Sequence, residues 1–277
     1  MRVKDFWQGR RSSSPAISDA LRAELESPIP WMYEWPVAPD VVTRLAAPEL
    51  TSVHETRREV IEPVVRDAIA AAGPNAAVLD LGCNEGWFAH QALEWGAERA
   101  VGVDVRGVNV RRAELLREHL GVPADRLQFH HASVFDLETE PLGSFDVVLV
   151  LGLIYHLENP IGALRIAAGA ARGAVVVESQ LTAHREALRV GWGETGVYKE
   201  VPGHWAAILE PAEEQAAEGN LLSSFGGVLS LVPNAPALVQ AMEVIGLRDV
   251  RMLDVPDHLN PQYVNGDRGI AAGYART

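Results

Sequence analysis

The sequence predicts an α/β fold, a doubly wound and mainly parallel sheet covered by helices and finished by an antiparallel C-terminal strand. Three observations carry the prediction. Short apolar, β-branched runs at residues 78–81, 100–104, 127–131, 145–152 and 174–178 alternate with stretches of helical periodicity. A turn bracketed by Gly82 and Gly86 follows the first run, and acids stand in the first two, Asp80 and Asp104. The last two runs, 248–253 and 269–275, are separated only by a loop, which suits antiparallel pairing and leaves no room for a helical crossover.

In chain order, residues 1–50 stand outside the sheet. They hold six prolines (Pro15, Pro28, Pro30, Pro36, Pro39, Pro48) and Trp7, Trp31 and Trp35, three of the seven tryptophans. A short helix is expected over 19–25. The aromatic stretch 28–36 is held extended by its prolines, so the segment reads either as a lid over a ligand or as a strap packed on the core. From residue 52, apolar positions Val60, Ile61, Val64, Val65, Ala68 and Ile69 recur at helical spacing, with Pro63 implying a kink or a late start. Helices are also expected over 87–95, 106–120 and 160–171. Residues 181–235 break the alternation and read as an insertion over the substrate end of the sheet, helical over 211–218, where Trp192 and Trp205 suit an acceptor clamp or a small core of their own. A capped helix ended by Gly246 and the final strand pair complete a domain over 51–277.

The turn decides which ligand is expected. Residues 78–88 read Val-Leu-Asp-Leu-Gly-Cys-Asn-Glu-Gly-Trp-Phe. A strand, a glycine turn and a helix N-terminus place backbone N–H groups and a positive dipole end at the sheet edge. A dinucleotide fingerprint needs glycines where Asn84 and Trp87 stand, and no Gly-Lys-Ser/Thr phosphate loop occurs. No Gly-x-Ser-x-Gly elbow and no paired Cys or His-x-x-x-His ligand motif occurs, so neither a serine hydrolase nor a metal centre is expected.

The stretch resembles the first motif of class I S-adenosylmethionine-dependent methyltransferases, with Asn84 in place of a middle glycine, and the resemblance extends over about residues 55–277. It implies a Rossmann-like, seven-stranded sheet and S-adenosyl-L-methionine as cofactor. It implies a turn shaped by Gly82, Cys83, Asn84 and Gly86, Asp80 near the amino-acid end of the donor and Asp104 on the ribose. Ala132 and Ser133 are expected by the adenine, and Val105, Leu151 and Gly152 complete the cofactor set. The strand ending Gly-Leu-Ile-Tyr-His156, the Val-Pro-Asn start at 232–234 and the following Asp-Val-Arg are similar to the tRNA wobble-uridine (carboxy)methyltransferases. That subfamily includes small-molecule and natural-product enzymes. In its tRNA members the tyrosine matching Tyr155 helps to bind an extra donor carboxylate.

Methyl transfer is an in-line displacement, so alignment dominates, and a general base is needed only for a nucleophile that carries a firmly held proton. His156 is the first candidate, His204 the second and Glu178 the third, with Tyr155 beside them at the acceptor end. The net charge of −13 disfavours a polyanionic partner, and the single basic cluster is Arg2, Lys4, Arg10 and Arg11. A small-molecule acceptor is therefore expected, with a tRNA modifier and a non-catalytic nucleoside-binding scaffold as alternatives. One cysteine and no signal-like or membrane-length apolar run suit a cytoplasmic protein, and a homodimer is compatible with the chain.

Overall fold

The computed structural model describes residues 16–184, 186–192, 197–209, 220, 224–225 and 229–276. The basic N-terminal cluster, Trp7, the helix expected over 211–218 and the Trp192 side chain lie outside the described residues.

Five parallel strands form the heart of the sheet. They are β3 (Ala77–Leu81), β4 (Arg99–Asp104), β5 (Leu127–His131), β6 (Phe145–Leu151) and β7 (Ala171–Gln180), preceded by a small hairpin of β1 (Pro36–Ala38) and β2 (Val41–Val42). Two insertion hairpins follow, β8 (Leu188–Trp192) with β9 (Val197–Val201) and β10 (Trp205–Leu209) with β11 (Leu229–Pro233). The terminal strands are β12 (Arg248–Met252) and β13 (Arg268–Tyr274). The seven-stranded sheet runs β12-β13-β7-β6-β3-β4-β5, with β13 antiparallel to both of its neighbours. Every residue of β3 is buried, as a parallel strand covered on both faces requires.

The helices cover the two faces. On one lie α2 (Leu50–Ala72), α3 (Trp87–Glu94) and α4 (Gly107–His119), together with α1 (Asp19–Leu25) and the aromatic segment around Trp31, Tyr33 and Trp35. On the other lie α5 (Pro160–Ala170) and α6 (Ala235–Val244). Asn159 and Asn234 cap α5 and α6 by accepting from Gly162 N–H and Ala237 N–H. Between the terminal strands, α7 (Pro261–Val264) is a single turn.

One expectation changes. The helix expected to kink at or start after Pro63 begins at Leu50 and runs through it. Pro63 is exposed, so the carbonyl it deprives of a partner faces water. The described part of the insertion is built of strands, and its fourth strand is tied to the loop after β6 by Leu231 N–H donating to Leu157 O. No helix among the described residues is long and apolar enough to cross a membrane.

Candidate functional site

The strand order reverses between β3 and β6, and a crevice outside the carboxyl ends of strands at such a point is where open α/β sheets bind ligands. A cavity of about 680 Å³ opens there, within the roughly 300–1,000 Å³ usual for ligand sites. Gly82, Asn84, Asp104, Val105, Ala132, Ser133, Leu151, Gly152, Tyr155 and His156 all line it. The topology thus gathers ten of the expected residues from four separate loops.

The turn itself works differently from the expectation. Its backbone N–H groups are not bare, because Gly82 and Cys83 donate to Val103 O at 2.8 and 3.0 Å and Gly86 donates to Cys83 O. Asn84 N–H donates to Asp104 Oδ2 at 2.9 Å. Gly86 is fixed by shape, since its φ is +77° and a Cβ would lie 2.4 Å from the Phe129 ring. Gly82, at φ +72°, and Asn84, at φ +48°, take the turn's other two left-handed positions. Asp80, Cys83 and Gly86 lie behind the cavity wall and do not line it.

Burial is the main force on the acids here. It pushes Asp80 up to about 7, helped by repulsion from Asp104 and opposed by a hydrogen bond from the Ala89 backbone. Asp104 is also raised by burial, although Arg106 N–H, Asn84 N–H and the Asn109 amide all donate to it. Glu85 is pushed up to about 7 by burial while it accepts from Met32 N–H at 2.9 Å. Burial likewise raises the Cys83 thiol.

At the β6 end stands a charge cluster that sequence reasoning missed. Glu178, fully buried, accepts from Arg57 Nη2 at 2.7 Å, Arg268 Nη1 at 2.9 Å and Tyr263 OH at 2.8 Å. Burial raises its carboxyl, but the two guanidiniums outweigh this and hold it below the usual carboxylate range. That commitment removes Glu178 as a base. Arg57 and Arg268 both line the cavity, two cations against one anion, with Tyr155 OH 3.4 Å from Arg268 Nη1. Gly152 admits the cluster, as a Cβ there would meet Arg57 Nη2 at 2.7 Å.

Of the two histidines, the structure brings only His156 to the cavity. Its Nδ1 lies 3.3 Å from Ser224 Oγ, which in turn lies 3.0 Å from Ser230 Oγ. His204 instead contacts Asn234 and Thr182 and does not line the cavity. Of the two roles that suit Trp205, a clamp or a core residue, the structure gives the second: it packs against the main core and does not line the cavity. Ser133 lines the cavity and also accepts from Phe135 N–H as a helix cap. Met32, Asn109 and Phe225 are further wall residues that sequence reasoning missed. Residues beside Asp104 and beside Gly152 fit a nucleoside with a charged tail. At these two places Asn109 Oδ1 and Arg57 Nε are buried with no hydrogen-bond partner among the described residues.

A family profile described as a methyltransferase domain matches residues 53–251. The tRNA U34 carboxymethyltransferase of Vibrio vulnificus is 29% identical over 181 residues, covering 65% of this chain and 47% of that protein. Its counterpart in Pasteurella multocida is 28% identical over 181 residues, 64% and 47% of the two chains. The chain spans about half the length of these curated relatives. Among solved structures, the N-terminal domain of EvdMO1 with SAH bound superposes with a TM-score of 0.63 at 20% identity, over 96% of this chain and 100% of that one. Magnesium protoporphyrin IX methyltransferase from Synechocystis PCC 6803 with bound SAM gives 0.51 at 12% identity, over 83% and 85%. Both carry the same α/β sheet architecture.

Proposed function

The chain belongs to the methyltransferase-domain family and is S-adenosylmethionine-dependent, and from that premise we propose that it methylates a small, polyfunctional acceptor of the secondary-metabolite type, in the cytoplasm. When bound, the cofactor supplies an electrophilic methyl group on a sulfonium. Asp104 holds the ribose, and Val105, Ala132 and Ser133 flank the base. Arg57 and Arg268, with their surplus positive charge, hold the amino-acid carboxylate beside Gly152. The observation that carries this reading is the single cavity shared by Asp104, Gly152 and His156.

The acceptor enters on the side lined by Tyr155, His156, Glu158, Asn159, Gln180 and Ser224, a wall of hydrogen-bonding groups. The protein aligns the acceptor nucleophile for in-line attack and takes its proton at His156. Ser224 Oγ, 3.3 Å from Nδ1, orients the ring. The net charge of −13 supports a small acceptor over a polyanion. The tRNA relatives favour a second reading, modification of a tRNA uridine.

The test is methyl transfer from labelled S-adenosylmethionine to a panel of small hydroxylated acceptors and to unmodified tRNA. Turnover is expected on a panel member, with His156→Ala lowering kcat about 100-fold or more while leaving donor Kd within about threefold. Turnover on tRNA alone selects the second reading. Donor binding without turnover on either class makes the chain a nucleoside-binding scaffold.

A further inference from the structure

We infer that Asn109 reads the donor's ribose, its Oδ1 accepting the hydroxyl hydrogen that Asp104 has no lone pair left to take. The inference rests on the proposed placement of the donor across the ends of β3 and β4. An ionised carboxylate has about four acceptor positions. Among the described residues, the protein's own donors fill three of Asp104's. Oδ2 accepts from Asn84 N–H at 2.9 Å, and Oδ1 accepts from Arg106 N–H at 2.9 Å and from Asn109 Nδ2 at 3.1 Å. One position is left, on Oδ2. A ribose diol brings two O–H donors, so Asp104 alone leaves one without a partner.

The Asn109 amide supplies the missing acceptor. Its orientation is settled by its neighbours, because Nδ2 donates both to Asp104 Oδ1 and to Asn84 Oδ1, each at 3.1 Å. Turning the amide over would set Oδ1 against those two oxygens. Oδ1 is therefore directed elsewhere, and it is a buried acceptor with no partner among the described residues, on a side chain that lines the cavity. A ligand hydroxyl at this wall of the cavity gives that acceptor the partner it lacks. Asn109 occupies the buried stripe of α4 with Val110, Arg112, Ala113 and Leu116. In that stripe Nδ2 is used by Asp104 and Asn84, and Oδ1 is left at the helix's first turn for a diol. The consequence is selectivity: the site distinguishes a ribonucleoside donor from one lacking the hydroxyl that faces Asn109.

The experiment is calorimetric titration of the full chain with S-adenosylhomocysteine and with its 2′-deoxy and 3′-deoxy analogues. The wild-type protein is expected to lose about tenfold in affinity for at least one analogue, the change that one ordinary hydrogen bond makes. Asn109→Ala is expected to weaken S-adenosylhomocysteine by about tenfold and to bind it and one of the two analogues equally, namely the one lacking the hydroxyl that faces Asn109. A variant that keeps the wild-type ratio between the ligands, whatever its absolute affinity, overturns the inference, because a merely structural asparagine weakens all three alike. Asn109→Ser gives the same ratio test should the alanine variant fail to fold. Failure of the wild-type protein to bind S-adenosylhomocysteine overturns the donor placement itself, and is thereby distinguished from failure of Asn109's part in it.

Discussion

Replacing Glu178 by glutamine tests the charge cluster with the smallest change of shape. Glu178 is the only acid paired with Arg57 and Arg268 among the described residues, at 2.7 and 2.9 Å, and it is itself fully buried. Both arginines offer donors only, so the glutamine amide must turn its NH₂ toward one of them or toward Tyr263. Removing one partner of a buried ion pair costs about 3–5 kcal/mol, and the surviving carbonyl keeps the loss near the lower end, about 3–4 kcal/mol. For chains of about this size each kcal/mol moves Tm by about 2–4 °C, so Glu178→Gln is expected to lower it by roughly 6–16 °C. Scanning calorimetry at pH 7.5 reads the change directly. A second arm gives the sign of the surplus charge. Without Glu178 the cluster carries two uncompensated cations, so saturating S-adenosylhomocysteine should raise Tm by more in the variant than in the wild-type protein. A variant melting within 2 °C of the wild type would refute the compensation argument. An unchanged ligand shift would remove the donor carboxylate from this end of the cavity.

Two further outcomes follow from the turn. Asp80 and Glu85 are both pushed up to about 7, above the ordinary carboxylate value of about 4, so the stability they contribute is present below about pH 4 and is lost as pH rises through 7. Glu178 works in the opposite sense, its share being lost as pH falls below the carboxylate range. Urea midpoints should therefore decline between pH 5 and 8, and Asp80→Asn with Glu85→Gln should flatten that decline; a slope unchanged in the double variant would contradict the burial argument. Gly86→Ala adds a Cβ 2.4 Å from the Phe129 ring at φ +77°, a combined strain and overpacking cost of about 2–5 kcal/mol. It should lower Tm by about 5 °C or more and weaken S-adenosylhomocysteine binding, both read in one calorimetric series.

The parallel sheet was legible in the sequence because its strands announce themselves. β6 is seven residues of which six are buried, and such a strand has to be nearly continuous in apolar residues. The hairpins of the insertion carried no such signal. Ala206 to Leu209 of β10 are all exposed, so burial imposes no alternation on them. Individual site residues divide along the same line. Asp104 and Gly152 end recognisable strands, whereas Arg268 opens β13 and meets Glu178 across 90 positions of chain, a pairing that no local pattern records. Arg57 did leave a trace. It occupies the buried stripe of α2 with Val53, Val60 and Ile61, and a charge on an apolar stripe demands a buried partner. Asn109 on α4 obeys the same rule. The turn's N–H groups were misjudged because their partner, Val103 O, belongs to the adjacent strand and is visible only once β3 and β4 are aligned.

What holds the turn in place also explains why its acids are tolerated. Asp80, Glu85 and Asp104 are all buried around a stretch of chain with three left-handed residues, and burial disfavours the charged form of each. None is idle. Asp80 takes the Ala89 N–H at the start of α3, and Asp104 takes Asn84 N–H. Glu85 takes Met32 N–H from the aromatic segment, with Arg112 3.8 Å away. Arg112 in turn donates to Pro30 O and Ile29 O, pairs with Glu24 and stacks over Trp31 at 4.4 Å, so the segment is locked to α4 and to the turn together. A fold selected for stability alone would replace such groups with apolar ones, since a buried charge network rarely improves on packing. Here the acids instead serve as acceptors that pin the turn, the aromatic segment and the start of α3 in one arrangement, a task that burial and partial protonation leave intact. The cost in folding stability is the counterpart of holding Asn84 and Asp104 in fixed positions on the cavity wall.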